Sequence, residues 1–503
     1  MQEKTSSGWS KIFFLIFLVM IILSIAGIIS MKEKLAREIC KTTWAPLSIK
    51  KFTKLLVPQD AIIIFVHGTF GSTMSLLDLP TVNNDKVQDS KYKLIIDMLR
   101  NNPIFWRDQA VLERGLVLVD GHKAPQNSAQ QISGALPILR AFVEIDRAIG
   151  KNRNIKTYTF GWSGLLSQQR RRKEAIRFYN QICEEILRLE QTEGIFEPEV
   201  EIIAHSHGGN VALNLAGIYH ILNGNIENLI NEKNPTKKEF EVELFRLREK
   251  TDPERFIDGQ HRFDYLPTKK DLKIDKLTML GTPVQPKTYA LAASPMFGQV
   301  FNIYSDEDGV QKMDFVSCCS DTENRKFLID KNLHRGNVFQ IKISICSDQI
   351  FKGAKLQDKK ISDTNLSWWQ VFMGMKDISR NSWDPTHKEL WFLVDSMSAD
   401  EPEVLKPLPI AAFVPLIIET INESKLNSQE LDVDLSIQGN KLLAFIAEHK
   451  TGNFEVIKSI SKGFVRELAK NIKPWISTEQ DVLAMKAFIQ KLMDNWKQMQ
   501  ESH

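Results

Sequence analysis

The sequence predicts an α/β fold, a mostly parallel sheet with helices on both faces, and three observations predict it. Short continuous apolar runs, rich in β-branched residues and closed by glycine, serine or aspartate, recur along the chain as strands buried on both faces would. Stretches with helical period lie between them, the alternation of a parallel sheet covered on both sides. The composition, 43% hydrophobic and 25% charged over 503 residues, is that of a globular body and excludes a disordered, collagenous or multi-span membrane protein. The length calls for one large core plus additions. A net charge of +3, from 65 Lys+Arg against 62 Asp+Glu, excludes a global field pulling the chain toward nucleic acid. Cys40, Cys183, Cys318, Cys319 and Cys346 are too few and too scattered for a disulfide framework, which favours a reducing compartment and structural thiols.

Taken in order, Ile12 to Ile29 is an apolar run relieved only by Ser24 and Gly27. As a helix it would be about 27 Å long, enough to cross a bilayer once. Residues 1–31 thus read as a short tail and a transmembrane anchor; Ser24-Ile25-Ala26 leaves a cleavable signal peptide open. Lys32, Lys34, Arg37 and Lys41 after the run outnumber Lys4 and Lys11 before it, which leans the body toward the cytoplasm. Strands are expected at Ala61 to Val66, Lys156 to Phe160, Val200 to Ile203, Leu277 to Leu280 and Val300 to Tyr304, and helices at Leu136 to Ile149, Arg170 to Leu189 and Val211 to Leu222. The alternation of Phe339, Ile341, Ile343 and Ile345 with polar residues predicts a last, half-exposed edge strand. Two insertions, about 72–131 and 223–273, interrupt the pattern, and Arg170-Arg171-Arg172-Lys173 reads as a solvated helix start. Residues 401–503 read as a helical C-terminal region, with Val482, Met485, Ile489, Leu492, Met493 and Trp496 on one core-packing stripe.

Chemistry concentrates in Ala204-His205-Ser206-His207-Gly208-Gly209, where a strand runs straight into a helix with Ser206 at the corner. Such a corner strains the serine and presents its hydroxyl above the sheet, and it demands small residues two positions to either side, here Ala204 and Gly208. The helix start favours an anion, so the backbone N–H of His207 is one expected oxyanion donor. The N–H of Thr69, in Val66-His67-Gly68-Thr69-Phe70-Gly71 after the first strand, is the other. His205 and His207 form a His-x-His pair, but no acidic or sulfur ligand is spaced nearby, so no metal or other cofactor is implied.

On these segments the chain resembles the serine hydrolases of the α/β-hydrolase superfamily, in particular their lipases and esterases. Further matching pieces are Phe160-Gly161-Trp162-Ser163-Gly164, Leu280-Gly281-Thr282-Pro283 and Ile303-Tyr304-Ser305-Asp306-Glu307-Asp308-Gly309-Val310, so the resemblance covers roughly residues 60–390 within an expected domain at 55–395. It implies a Ser, acid, His triad in that chain order, acid and base lying on loops after late strands. Asp308, followed one residue on by aliphatic Val310, is the acid implied, with Asp306 as runner-up. Four histidines follow it. His334 precedes the edge strand, His449 falls in a stretch read as helical, and His503 is terminal, whereas His387 lies in the turn-rich Trp383-Asp384-Pro385-Thr386-His387 and is the expected base. His334 stays open because the gap to His387 is long.

The function expected is hydrolysis of carboxyl esters of lipid or other apolar acyl substrates by a membrane-anchored enzyme. An inactive binding or scaffold protein on the same fold, and an acyltransferase using Ser206 with an acceptor other than water, are the alternatives.

Overall fold

A computed structural model describes residues 58–68, 115–119, 136–164, 168–223, 271–284, 288–308, 326–327, 336–346, most of 382–391, 408–424 and most of 426–472, with isolated positions between 487 and 498. The chain divides into two compact units, Met1–Pro58 and Gln59–His503. All of the first but Pro58, including the Ile12 to Ile29 run, lies outside the described residues. Among the described residues no helix is long and apolar enough to cross a membrane.

The second unit is built on one sheet. Its elements in chain order are β1 (Gln59–Val66), β2 (Gly115–Val119), α1 (Leu136–Ala148), β3 (Arg153–Gly161), α2 (Gln168–Glu193), β4 (Glu199–His205), α3 (His207–Leu222), β5 (Ile274–Leu280), a short α4 (Tyr289–Ala292), β6 (Phe297–Tyr304), β7 (Val338–Cys346) and β8 (Ser382–Trp383). Then follow α5 (Ile410–Glu423), β9 (Glu430–Gln438), β10 (Lys441–Glu448), β11 (Glu455–Ser461) and α6 (Lys462–Ile472). Strand order is β11-β10-β9-β7-β6-β5-β4-β1-β3-β2, with β8 paired to β7 off that path. The run from β3 to β9 is parallel throughout; β2, β8, β10 and β11 pair antiparallel.

Burial explains why the strands read as unbroken apolar runs. Alternate residues of β1 enter different cores: Ile63 and Phe65 join Phe142 of α1 and Ile417 of α5, while Ile62, Ile64 and Val66 join Phe178 of α2 and Val211 of α3. With both faces covered, neither parity tolerates a polar residue. All five strands and three helices expected before residue 310 are present, each within a few residues of its expected ends.

Three expectations need correction. The described part of residues 401–503 is not helical throughout: β9, β10 and β11 extend the main sheet between α5 and α6. Within them Lys441-Leu442-Leu443 opens a strand, so His449 follows β10 and does not sit in a helix. Second, β7 is not the sheet's edge, because β9 pairs along its free side from Gln340↔Glu430 to Cys346↔Ser436. Third, the segment 72–131 is not wholly outside the sheet, since β2 within it pairs with β3. The described positions 487, 490, 491, 494 and 498 are exposed, and the apolar stripe expected beside them lies outside the described residues.

Candidate active site

The order of connections places the site. The chain leaving β1 returns to the sheet on one side, as β2 and then β3, and the chain leaving β4 crosses to β5 on the other, so the direction of winding reverses between the neighbouring strands β1 and β4. Parallel sheets bind their ligands in the crevice outside the carboxyl ends at such a reversal. Here those ends carry His67-Gly68 and Ser206.

Ser206 has φ of 51°, a left-handed conformation that among the described non-glycine residues it shares only with Glu197. A side chain held there costs on the order of 1–3 kcal/mol and persists where the surroundings over-determine it. They do: the Ser206 N–H donates to the Leu280 carbonyl at 2.9 Å, and its own carbonyl accepts from the Gly209 N–H at 3.0 Å. The Ser206 amide is thereby committed to β5 and is not an oxyanion donor. The close packing also explains the neighbouring glycines. A Cβ on Gly68 would stand 2.6 Å from the Ser206 Cβ, one on Gly208 would run into the His67 carbonyl, and one on Gly209 into the Thr282 side chain. His207 opens α3, putting its N–H in the first turn of a 16-residue helix. Thr69, the other expected donor, lies outside the described residues.

The acid and base expected from sequence are brought together. Asp308, fully buried just after β6, accepts a hydrogen bond of 2.8 Å from Nδ1 of His387. That bond sets the tautomer, because a carboxylate only accepts: Nδ1 carries the proton and Nε2 is left as the basic atom. Gly281, at φ of 59°, makes room for the pair, since a Cβ there would lie 2.7 Å from Oδ2 of Asp308 and 2.9 Å from Nδ1 of His387. Asp306 is engaged elsewhere, in a partly exposed ion pair of 2.6 Å with Lys342. His334 lies outside the described residues. His449 makes a separate pair with Asp432, 2.7 Å from Nδ1 to Oδ1, and its Nε2 lies 3.2 Å from Nζ of Lys326.

Two more histidines hold the crevice together. His67 donates from Nδ1 to the Gly68 carbonyl at 2.7 Å and accepts the Trp162 N–H at Nε2, 3.1 Å away; the Trp162 indole N–H returns a 2.7 Å bond to the His67 carbonyl. The ends of β1 and β3 are thus joined through a neutral imidazole. His205 donates from Nε2 to the backbone carbonyl of His387 at 3.1 Å. Its ring lies 4.5 Å from that of His387 and stacks on Trp391 at 5.3 Å and 12°. The base is therefore lodged against the residue that precedes Ser206. Beyond the serine, fully buried Arg171 donates to Nδ1 of His207 at 2.6 Å, and Arg172 is also buried. The solvated reading of this basic run is overturned for both: the first turns of α2 turn inward, toward the start of α3. Sequence reasoning missed the roles of His67, His205 and Arg171; the one available signal was the density of titratable residues around Ser206.

Burial pushes His67 down from 6.5 to about 4. Burial and, after it, the charge of His387 push His205 well below 6.5. A histidine whose folded pKa lies below its unfolded value stabilises fully above pH 6.5 and loses that contribution as pH falls through the interval. His67 alone would account for a loss of about 3 kcal/mol between pH 6.5 and 4, at about 1.4 kcal/mol per unit. His205 acts in the same sense, and Asp146, raised by burial, in the opposite one. Urea unfolding at a series of pH values should show stability falling steeply below pH 6.5, with a shallower fall in His67→Gln. A flat profile over that interval would contradict neutral, buried imidazoles.

Chemically, the arrangement offers a strained hydroxyl, an imidazole oriented by a buried carboxylate, and a helix start at the same crevice. Among the described residues no group of three His, Cys, Asp or Glu side chains is placed to hold a metal. No protein-family model, no curated protein and no solved structure matches the chain.

Proposed function

We propose that the chain is a serine hydrolase of the α/β-hydrolase superfamily that cleaves carboxyl esters of lipid or other apolar acyl substrates. What carries the reading is the Asp308–His387 pair, 2.8 Å apart, lodged through His205 against the strained turn at Ser206. Nε2 of His387 takes the hydroxyl proton as Oγ of Ser206 attacks the acyl carbonyl, and Asp308 stabilises the imidazolium that forms. The tetrahedral oxyanion is bound by the N–H of His207 and, as second donor, that of Thr69. Collapse expels the alcohol with the proton from His387 and leaves an acyl-serine. Water, deprotonated by the same imidazole, attacks it and releases the acid. No step calls on a cofactor.

Ile12 to Ile29 would hold the body at a lipid surface as a single-pass anchor, with the body on the cytoplasmic side, which suits an apolar ester as substrate. Protease protection in sealed vesicles tests that side: a body digested only after the membrane is opened would place it in the lumen.

A fluorophosphonate phosphonylates a serine only where the hydroxyl is activated, so it serves as a probe without knowledge of the natural ester. The full-length protein should be labelled at one site, and Ser206→Ala should lose the label completely. A wild type that resists the probe, or a Ser206→Ala variant that still takes it, would end the assignment.

A further inference from the structure

The His387 segment has little regular structure of its own. β8 pairs with β7 at only Ile345↔Trp383 and Cys346↔Ser382, and the Asp308 bond constrains the ring but not the backbone that carries it. Among the described residues, two bonds fix that backbone. The Ala411 N–H donates to the Leu390 carbonyl at 2.9 Å, tying the segment to α5, and the Nε2–H of His205 donates to the carbonyl of His387 itself at 3.1 Å. His205 is in turn clamped, buried to 3% exposure, with Trp391 stacked on one side and that indole packed at 5.5 Å on Phe65 of β1. Gly68 stands against its Nδ1 edge, where a Cβ would come within 3.1 Å.

We infer that His205 is a positioning residue for the base: its Nε2–H seats the His387 backbone, so the nucleophile's own turn sets where the imidazole stands. The inference rests on the serine-hydrolase reading. Residues 205 and 206 are covalently joined, so a bond from one to the base and proton transfer from the other are placed by the same rigid corner. This removes any independent drift between nucleophile and base, and misplacement by about 1 Å can cost on the order of 10²-fold in rate. Neutrality belongs to the same function. A protonated ring at 4.5 Å would oppose the charge His387 must acquire, and burial keeps His205 unprotonated.

The test compares His205→Gln, which keeps a side-chain N–H donor, with His205→Met, of similar volume and no donor, and His205→Phe, which keeps an aromatic ring alone. The readout is the second-order rate of fluorophosphonate labelling of the full-length protein against pH, with melting temperature measured alongside. The Met and Phe variants should label at least tenfold more slowly than wild type, and Gln should recover most of the rate. In Met and Phe the pH at half-maximal labelling should also shift, because the imidazole no longer sits squarely on Asp308. Should Phe fail to fold, the near-isosteric Gln and Met pair decides alone. Equal rates for Gln and Met, or a wild-type pH profile in the donorless variants, would overturn the role of His205 while leaving Ser206 as nucleophile. An unlabelled wild type would instead remove the hydrolase reading on which the role depends.

Discussion

Asp308→Asn is expected to lower the labelling rate of Ser206, and turnover of a short-chain p-nitrophenyl ester, by about 10⁴-fold while the protein stays folded. The carboxylate is fully buried and accepts the Nδ1–H of His387 at 2.8 Å. An asparagine of the same shape turns its NH₂ to the ring, which favours the tautomer with Nε2 protonated and leaves that nitrogen unable to take the proton that the proposed mechanism assigns to it. Packing changes little, so the melting temperature should move far less than the rate. Asp306→Asn is the internal control, because it removes only a partly exposed pair with Lys342 and should leave the rate within about twofold, as such pairs carry little energy. Equal losses in the two variants, or wild-type labelling of Asp308→Asn, would mean that the buried carboxylate does not orient the base.

How far the sequence could foretell this arrangement depended on where each signal resided. The central strands were legible because β1 buries both parities of its residues, so that Ile62-Ile63-Ile64-Phe65-Val66 has no polar interruption. The corner at Ser206 was legible because its steric demand falls on adjacent positions, and Gly208 meets that demand against the His67 carbonyl. Asp308 and His387 were placed by resemblance and by elimination, since what joins them is a contact across 79 residues. The C-terminal strands were misread for a related reason. Leu442-Leu443-Ala444-Phe445-Ile446-Ala447 is a continuous apolar run that serves a helix or a buried strand equally, and only its pairing with β9 and β11 decides. β7 alternates as an edge strand would, yet its outer partner arrives some ninety residues later. Arg171 illustrates the limit for charge: a basic run is ordinarily solvated, and nothing local announces a bond to His207 36 residues away.

Arg153→Ala should produce the largest loss of stability, about 3–5 kcal/mol at pH 7, the usual consequence of removing one partner from a buried ionic cluster. The guanidinium forks between Asp146, where Nε reaches Oδ2 at 3.0 Å, and Glu201, where Nη1 reaches Oε1 at 2.5 Å, and Lys276 completes the cluster with bonds to Glu201 and Glu199. Asp146 has no exposure and Glu201 almost none. Burial alone would raise the Glu201 carboxyl, but Lys276 and then Arg153 outweigh it and hold it at about 2. Without Arg153 the buried carboxylate at position 146 would keep Lys151, 3.8 Å away, and Glu201 would keep Lys276 and, after it, the charge of Lys151. Both would gain affinity for a proton, so the deficit against wild type should shrink between pH 7 and 5 as the folded variant takes one up. Arg153→Lys should recover only part of the loss, since one ammonium cannot serve both carboxylates of the fork. Glu199 begins the strand whose opposite end carries Ser206, about 20 Å away at about 3.3 Å per residue, so labelling of the folded variant should proceed near the wild-type rate. A deficit below about 1 kcal/mol, or one that grows on acidification, would show that these charges are solvated in solution and do not hold the amino-terminal ends of β3, β4 and β5 together.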